Sequence, residues 1–136
     1  MKTATDVILK RKEIEERLAH WYAAWAEYDL DGVLSLFHEQ VRYRHWDGRV
    51  LIGRSLLRLV WSSWFARRDF RFDEEETFID EHAQKALYRW RLTRSLPPHS
   101  GVTEEQSGVD VLHFHGGLIT AKLTYSGTEE TDKQPQ

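Results

Sequence analysis

The period of the apolar residues changes along this chain, and the change constrains the fold more than any other feature of the sequence. Over residues 7–28 apolar residues recur every three or four positions, which predicts an amphipathic helix. These positions are Ile14, Leu18, Trp21 and Trp25. Beyond Phe65 the apolar residues alternate with polar ones, which is the period of a half-buried strand. Helices are therefore expected first, and strands after them.

Two further helices and one strand are predicted before the strand-rich part. Asp31 can cap a short second helix, with Gly32 in its first turn. Residues 41–46 alternate as a strand does, and the Asp-Gly pair at residues 47–48 marks the turn that follows. Gly53 precedes a third helix. Its predicted apolar side consists of Leu56, Leu57, Val60, Trp61 and Trp64.

Four more strands are predicted after the third helix. The first begins at Phe70 and resumes over residues 77–79, and the second carries four apolar residues on one face. These four are Ala86, Tyr88, Trp90 and Leu92. The third spans residues 106–115 and the fourth residues 118–125, joined by a tight glycine turn at residues 116–117. Strands joined by short turns pair antiparallel, which predicts an α+β fold whose long sheet curls around a helix and encloses a cavity.

Length, charge and composition limit the class of protein. A chain of 136 residues is expected to form one domain, which we place at residues 1–126, with a polar, disordered tail at residues 127–136. The absence of cysteine excludes disulfides, a thiolate nucleophile and cysteine-based metal sites. The net charge of -3 argues against a nucleic-acid partner. Residues 1–12 contain no continuous apolar run, and no stretch approaches the ~20 apolar residues of a membrane span. We therefore expect a cytoplasmic protein without a membrane partner.

One carboxylate stands out within the strand-rich part. Asp110 is in phase with Leu112 and Phe114, so all three side chains are expected on the same, apolar face. A buried carboxylate is costly unless it is paired, hydrogen-bonded or neutralised. Asp110 is therefore interpreted either as half of a structural ion pair with an arginine or as a functional acid or hydrogen-bond donor.

Two segments resemble a known superfamily. They are residues 29–37, which read DLDGVLSLF after an aromatic helix, and residues 109–119, which read VDVLHFHGGLI. Together they resemble the nuclear-transport-factor-two-like superfamily, and within it the ketosteroid isomerases and SnoaL-type cyclases, over about residues 14–125. The resemblance implies a cone-shaped, curved antiparallel sheet wrapped around the N-terminal helices. It also implies a homodimer that packs through the outer face of the sheet, where Leu87, Val109, Val111 and His113 are the candidates.

The resemblance assigns roles to three positions. The aspartate base of the ketosteroid isomerases falls at His45, their aspartate oxyanion donor at Asp110, and their tyrosine donor at Trp21. Histidine titrates near neutral pH and suits proton transfer, although a histidine on an apolar face can equally be a packed rim residue. His45 is the expected base and a neutral Asp110 the expected donor, with the reverse assignment left open.

Aromatic residues are the expected wall of the pocket. The chain has six Trp, five Tyr and six Phe, and large aromatics can either fill a core or enclose a flat organic ligand. Tyr88 can also supply the phenol that Trp21 lacks. The predicted binding residues are Trp21, Trp25, Tyr43, Trp61, Trp64, Tyr88, Trp90, Leu112 and Phe114.

These expectations define a function and an alternative. The leading hypothesis is a cofactor-free enzyme that acts on a small, apolar carbonyl compound by proton transfer, as an isomerase, aldol-type cyclase or dehydratase. The alternative is a non-catalytic ligand-binding or assembly domain of the same fold. His113 and His115 have a spacing that metals can use. They alternate with Asp110 and should point away from the cavity, so we expect no metal and no cofactor.

Overall fold

A computed structural model describes residues 7–95, 97 and 100–127. Three helices and six strands follow one another along the described chain. The helices are α1 (Arg11–Ala26), α2 (Leu30–Leu34) and α3 (Arg54–Arg67). The strands are β1 (Phe37–Arg44), β2 (Val50–Ile52), β3 (Phe70–Asp80), β4 (Lys85–Ser95), β5 (Thr103–His115) and β6 (Leu118–Gly127).

The strands form one curved, unclosed sheet in the order β2-β1-β6-β5-β4-β3. The β1–β6 pair is parallel, whereas all other neighbours are antiparallel. The helices α1 and α3 pack against one face of the sheet and share one hydrophobic core with it. The α+β fold predicted from the sequence is therefore confirmed. Within the described ranges, no helix is long and apolar enough to cross a membrane.

The helices differ from their predicted boundaries and caps. The first helix begins at Arg11, four residues later than predicted. The second helix is capped by Asp29 and not by Asp31, because Asp29 Oδ1 accepts the backbone N–H of Gly32 at 2.9 Å. The buried stripe of α3 is Leu57, Trp61 and Phe65. The prediction was wrong for Leu56 and Val60, which lie beside this four-residue repeat and are exposed.

The strands also depart from a simple alternation. The short strand β2 was not predicted, since its three residues carry too little pattern to be recognised. The strand β3 is continuous, but a bulge at Glu75 changes its phase, so that Thr77 and Ile79 face inward while Phe78 faces outward. The hairpin turn at residues 116–117 is confirmed, with both glycines at positive φ. The predicted tail at residues 127–136 lies outside the described residues except for Gly127, which ends β6.

Candidate functional site

A cavity lies between α1, α3 and the inner face of the sheet. It contains about 620 Å³ of free space, part of which is open to solvent. Its wall is predominantly aromatic, and most of the predicted binding residues contribute to it. They are Trp21, Trp25, Tyr43, Trp61, Trp64, Tyr88 and Trp90. Leu112 and Phe114 are buried in the adjoining core and do not line the cavity, so their predicted binding role has no support from the geometry.

Asp110 lies in the cavity wall at the centre of a row of cross-strand neighbours. Tyr88 of β4 and Thr124 of β6 stand directly opposite it on either side. The Tyr88 hydroxyl donates to Oδ2 at 2.5 Å, and the Thr124 hydroxyl donates to Oδ1 at 2.8 Å. Asp110 itself is only 3% exposed. The inward orientation predicted from its phase in β5 is therefore confirmed.

The Trp90 side chain reaches the Asp110 carboxylate because the residue opposite it, Gly108, has no side chain. The Trp90 indole N–H donates to Asp110 Oδ1 at 3.1 Å. Gly108 lies directly opposite Trp90 in β5, and a Cβ at this position would overlap the six-membered ring of the indole. The absence of a side chain at residue 108 therefore lets the indole lie across β5 and reach the carboxylate.

Lys122 is the cationic partner of Asp110, and its role was not predicted. Its Nζ lies 3.0 Å from Asp110 Oδ2 and donates to Thr124 Oγ1 at 2.7 Å. It also lies 4.8 Å from the centre of the Tyr43 ring, which is a cation–π distance. The lysine and aspartate side chains are only 6% and 4% exposed. The structural ion pair expected for Asp110 is thus present, but with a lysine in place of the expected arginine.

Three hydrogen-bond donors and the Lys122 ammonium surround the Asp110 carboxylate, whereas the resemblance implied an Asp110 that donates to a ligand. Burial and the charge of Asp110 raise the pKa of Tyr88 well above its ordinary value. The same two causes raise the pKa of Tyr43. Both phenols therefore keep their protons at neutral pH. Tyr88 also accepts the Trp21 indole N–H at 2.7 Å, which fixes the direction of its own donation to Asp110.

His45 does not line the cavity with Asp110. The strand β1 ends at Arg44, so the alternation that predicted an inward His45 stops one residue too early. Its Nδ1 lies 3.1 Å from Asp47 Oδ1 in the following turn, and the next residue, Trp46, lines the cavity in its place. Burial lowers the pKa of His45, although the Asp47 carboxylate acts in the opposite direction. A catalytic role for His45 remains a prediction that this geometry does not favour.

A second polar group lies where the cavity opens to solvent. Glu74 lines the cavity and is exposed, which places it at the mouth. The Thr77 hydroxyl donates to Glu74 Oε2 at 2.6 Å, and the Tyr22 hydroxyl lies 2.9 Å from Thr77 Oγ1. Burial raises the pKa of Tyr22, so this phenol is protonated and can donate to the threonine.

Metal ligands are not grouped in the part of the chain that the structure describes. No three histidine, aspartate or glutamate side chains there are close enough together to hold an ion.

Sequence analysis missed several wall residues, which are Tyr22, Trp46, Phe72, Glu74, Lys122 and Thr124.

Comparison with known proteins agrees with this architecture. The profile of the SnoaL-like domain family matches residues 18–122. A search of the curated proteins found no match. By structure, the chain is similar to an NTF2-like protein of unknown function from Mesorhizobium loti, at 21% identity and a TM-score of 0.73, over 86% of this chain and 93% of that chain.

Two other similar structures have more informative names. One is a candidate polyketide cyclase from Xanthomonas campestris pv. campestris, at 21% identity and a TM-score of 0.68, over 91% of this chain and 97% of that chain. The other is TerC co-crystallised with polyporic acid, at 17% identity and a TM-score of 0.72, over 89% of this chain and 96% of that chain. At these identities the likeness shows the fold, whereas the family profile covers most of the chain. This protein belongs to the SnoaL-like domain family.

Proposed function

We propose that this domain binds a flat, largely apolar carbonyl compound in its aromatic cavity and catalyses a proton transfer on it without a cofactor. The reaction class is isomerisation, aldol-type cyclisation or dehydration. The observation that carries the proposal is the buried Lys122 ammonium in a wall that is otherwise mostly aromatic. The cyclase name of one similar structure and the bound polyporic acid of another support the same class of ligand.

Lys122 is suited to stabilise the oxygen of an enolate. A lysine ammonium has three N–H donors; Thr124 accepts from one of them, and Asp110 Oδ2 lies 3.0 Å away as the ion-pair partner. A remaining N–H of Lys122 is the donor that we assign to the substrate oxygen. Fixed donors aimed at a developing charge in a dry site stabilise a transition state without reorganisation, and one such donor is typically worth about 10²–10³ in rate.

Asp110 has a supporting role in this proposal. Its carboxylate lies 3.0 Å from the Lys122 ammonium and forms a buried ion pair with it. Tyr88, Trp90 and Thr124 hold the carboxylate in place and satisfy its remaining lone pairs. The wall therefore presents a fixed cation to the ligand, and the tryptophans position the flat body of the ligand beside it.

Hydrogen–deuterium exchange in 2-tetralone tests the proposal. This two-ring ketone has acidic hydrogens between its carbonyl and its aromatic ring, and quenching of tryptophan fluorescence reports its binding. We expect the protein to bind 2-tetralone and to exchange these hydrogens faster than buffer, as measured by proton NMR in D₂O. Lys122→Gln combined with Asp110→Asn, which removes both charges of the pair, should slow the exchange by about 10²–10³ while circular dichroism shows a folded protein. Arg58→Gln, on the outer side of α3, is the control and should retain the wild-type rate.

The alternative is a ligand-binding domain without catalysis. The surroundings of Asp110 favour it, because three protein donors and the Lys122 ammonium already engage both oxygens of this carboxylate. Binding of 2-tetralone without exchange above buffer would establish the alternative. Absence of both binding and exchange would contradict the ligand class that we propose.

A further inference from the structure

We infer that Glu74 is the residue that moves the proton in this cavity, an inference that rests on the proposed function. The cavity has two polar regions, the Asp110–Lys122 pair in its wall and Glu74 at its mouth. A substrate whose oxygen contacts Lys122 and whose body extends toward the mouth would bring a carbon next to its carbonyl toward Glu74.

The other titratable groups of the described wall are poor bases. Asp110 accepts hydrogen bonds from three protein donors, and Lys122 is its cationic partner. The phenols of Tyr22, Tyr43 and Tyr88 have raised pKa values and hold their protons at neutral pH. Glu74 is the remaining carboxylate of this wall.

The contacts of Glu74 hold one carboxylate oxygen and leave the other available. Thr77 donates its proton to Oε2, so its own oxygen accepts from the Tyr22 hydroxyl. Oε1 has no hydrogen-bond partner among the described residues. Two donors in series therefore orient the carboxylate, and we assign its second oxygen to accept the proton. The bulge at Glu75 changes the phase of β3, so that Thr77 faces inward on the same side as Glu74.

The step balances without any co-reactant. Glu74 removes a proton from the carbon next to the carbonyl, and the electron pair of that C–H bond forms the carbon–carbon double bond of an enolate. The enolate oxygen takes the negative charge beside Lys122. Return of the proton from Glu74 to the same carbon restores the ketone. Where the substrate is a β,γ-unsaturated ketone, return of the proton to the far carbon of the dienolate moves the double bond and completes an isomerisation. Because Glu74 is exposed to solvent, its proton can exchange with water between the two steps.

The isosteric variant Glu74→Gln tests the inference in the 2-tetralone assay. General-base catalysis is typically worth about 10²–10⁴, so we expect the exchange rate to fall by that factor while fluorescence titration shows unchanged binding. The matched control is Glu76→Gln. Glu76 is two residues away on the outer side of the sheet, where it pairs with Arg89, and this variant should exchange at the wild-type rate.

Thr77→Val tests the positioning contact independently of folding. Thr77→Val removes the hydrogen bond that orients Glu74, so the exchange rate should fall while fluorescence titration shows unchanged binding of 2-tetralone. Thr77→Ser keeps the hydroxyl and should restore the wild-type rate. A merely structural role of Thr77 would instead lower binding and rate together.

The outcomes separate this inference from the proposed function. Wild-type exchange that survives in Glu74→Gln would overturn Glu74 as the base and leave the proposed function intact. Exchange that is lost in His45→Ala but retained in Glu74→Gln would return the role to His45. Wild-type protein that causes no exchange would overturn the proposed function, and the role of Glu74 with it.

Discussion

Removal of Lys122 should destabilise the fold severely, because it leaves a buried carboxylate without its cation. Lys122→Met keeps a long apolar chain in the space but removes the ammonium. Asp110 would then retain only the neutral donors Tyr88, Trp90 and Thr124. The side chains of this ion pair are only 4–6% exposed, so solvent screens the remaining charge poorly.

The expected magnitude follows from the burial of the pair. Breaking a buried ion pair by removing one partner costs about 3–5 kcal/mol, whereas an exposed pair contributes about 0–1 kcal/mol. A typical domain has only about 5–15 kcal/mol of stability, so Lys122→Met should remove a large share of it. The double variant Lys122→Met with Asp110→Asn removes both charges and should be more stable than Lys122→Met alone.

Urea unfolding followed by tryptophan fluorescence and circular dichroism measures these free energies. Arg58→Met is the matched control, because the Arg58–Asp31 pair is exposed and its loss should cost about 0–1 kcal/mol. A cost for Lys122→Met similar to that of the control would refute the reasoning. Strict additivity of the Lys122 and Asp110 substitutions would refute it as well, because contacting groups should couple.

Three further predictions concern other parts of the fold. Gly108→Ala should lower the free energy of unfolding in urea by about 1–3 kcal/mol, because the new Cβ displaces the Trp90 ring. Gly127→Ala is the control, since no described atom lies near its Cβ, and equal effects of the two substitutions would contradict the packing argument. Burial and the Lys85 charge lower the pKa of His113 in the folded protein. As the pH falls below about 6.5, the unfolded chain therefore binds a proton at His113 before the folded chain does, and the free energy of unfolding decreases. His113→Gln should lessen this loss in urea unfolding at neutral and mildly acidic pH, and an unchanged loss would contradict the assignment. We also propose a homodimer that packs through the outer face of the sheet. Light scattering should show a dimer for the wild type and a monomer for Val111→Glu, and a wild-type monomer would contradict the proposal.

The regular part of the site could be predicted from the sequence. The strand β5 keeps its alternation from Asp110 to Phe114, so the inward carboxylate followed from period two alone. The tryptophans of α1 and α3 followed from the helical repeat in the same way. These residues lie in uninterrupted elements, where the spacing of side chains decides which face they occupy.

Some of the remaining site residues could not be predicted because bulges interrupt the strands that carry them. Counting by two from Ile119 places Ala121 and Leu123 inward, but the register shifts by one residue at Phe114, so Lys122 faces the cavity instead. The bulge in β3 obscured the hydrogen bond between Glu74 and Thr77 in the same manner. Single-residue bulges have no clear sequence signal, and each one moves the following side chains to the other face.

A crystal structure of the protein with 2-tetralone tests the central claim most directly. The account predicts that the carbonyl oxygen of the ketone lies within about 3 Å of Lys122 Nζ, the distance of an N–H···O hydrogen bond. The rings should lie between the tryptophans, with the carbon beside the carbonyl directed toward Glu74. A ligand bound outside this cavity, or inside it with its oxygen away from Lys122, would contradict the account.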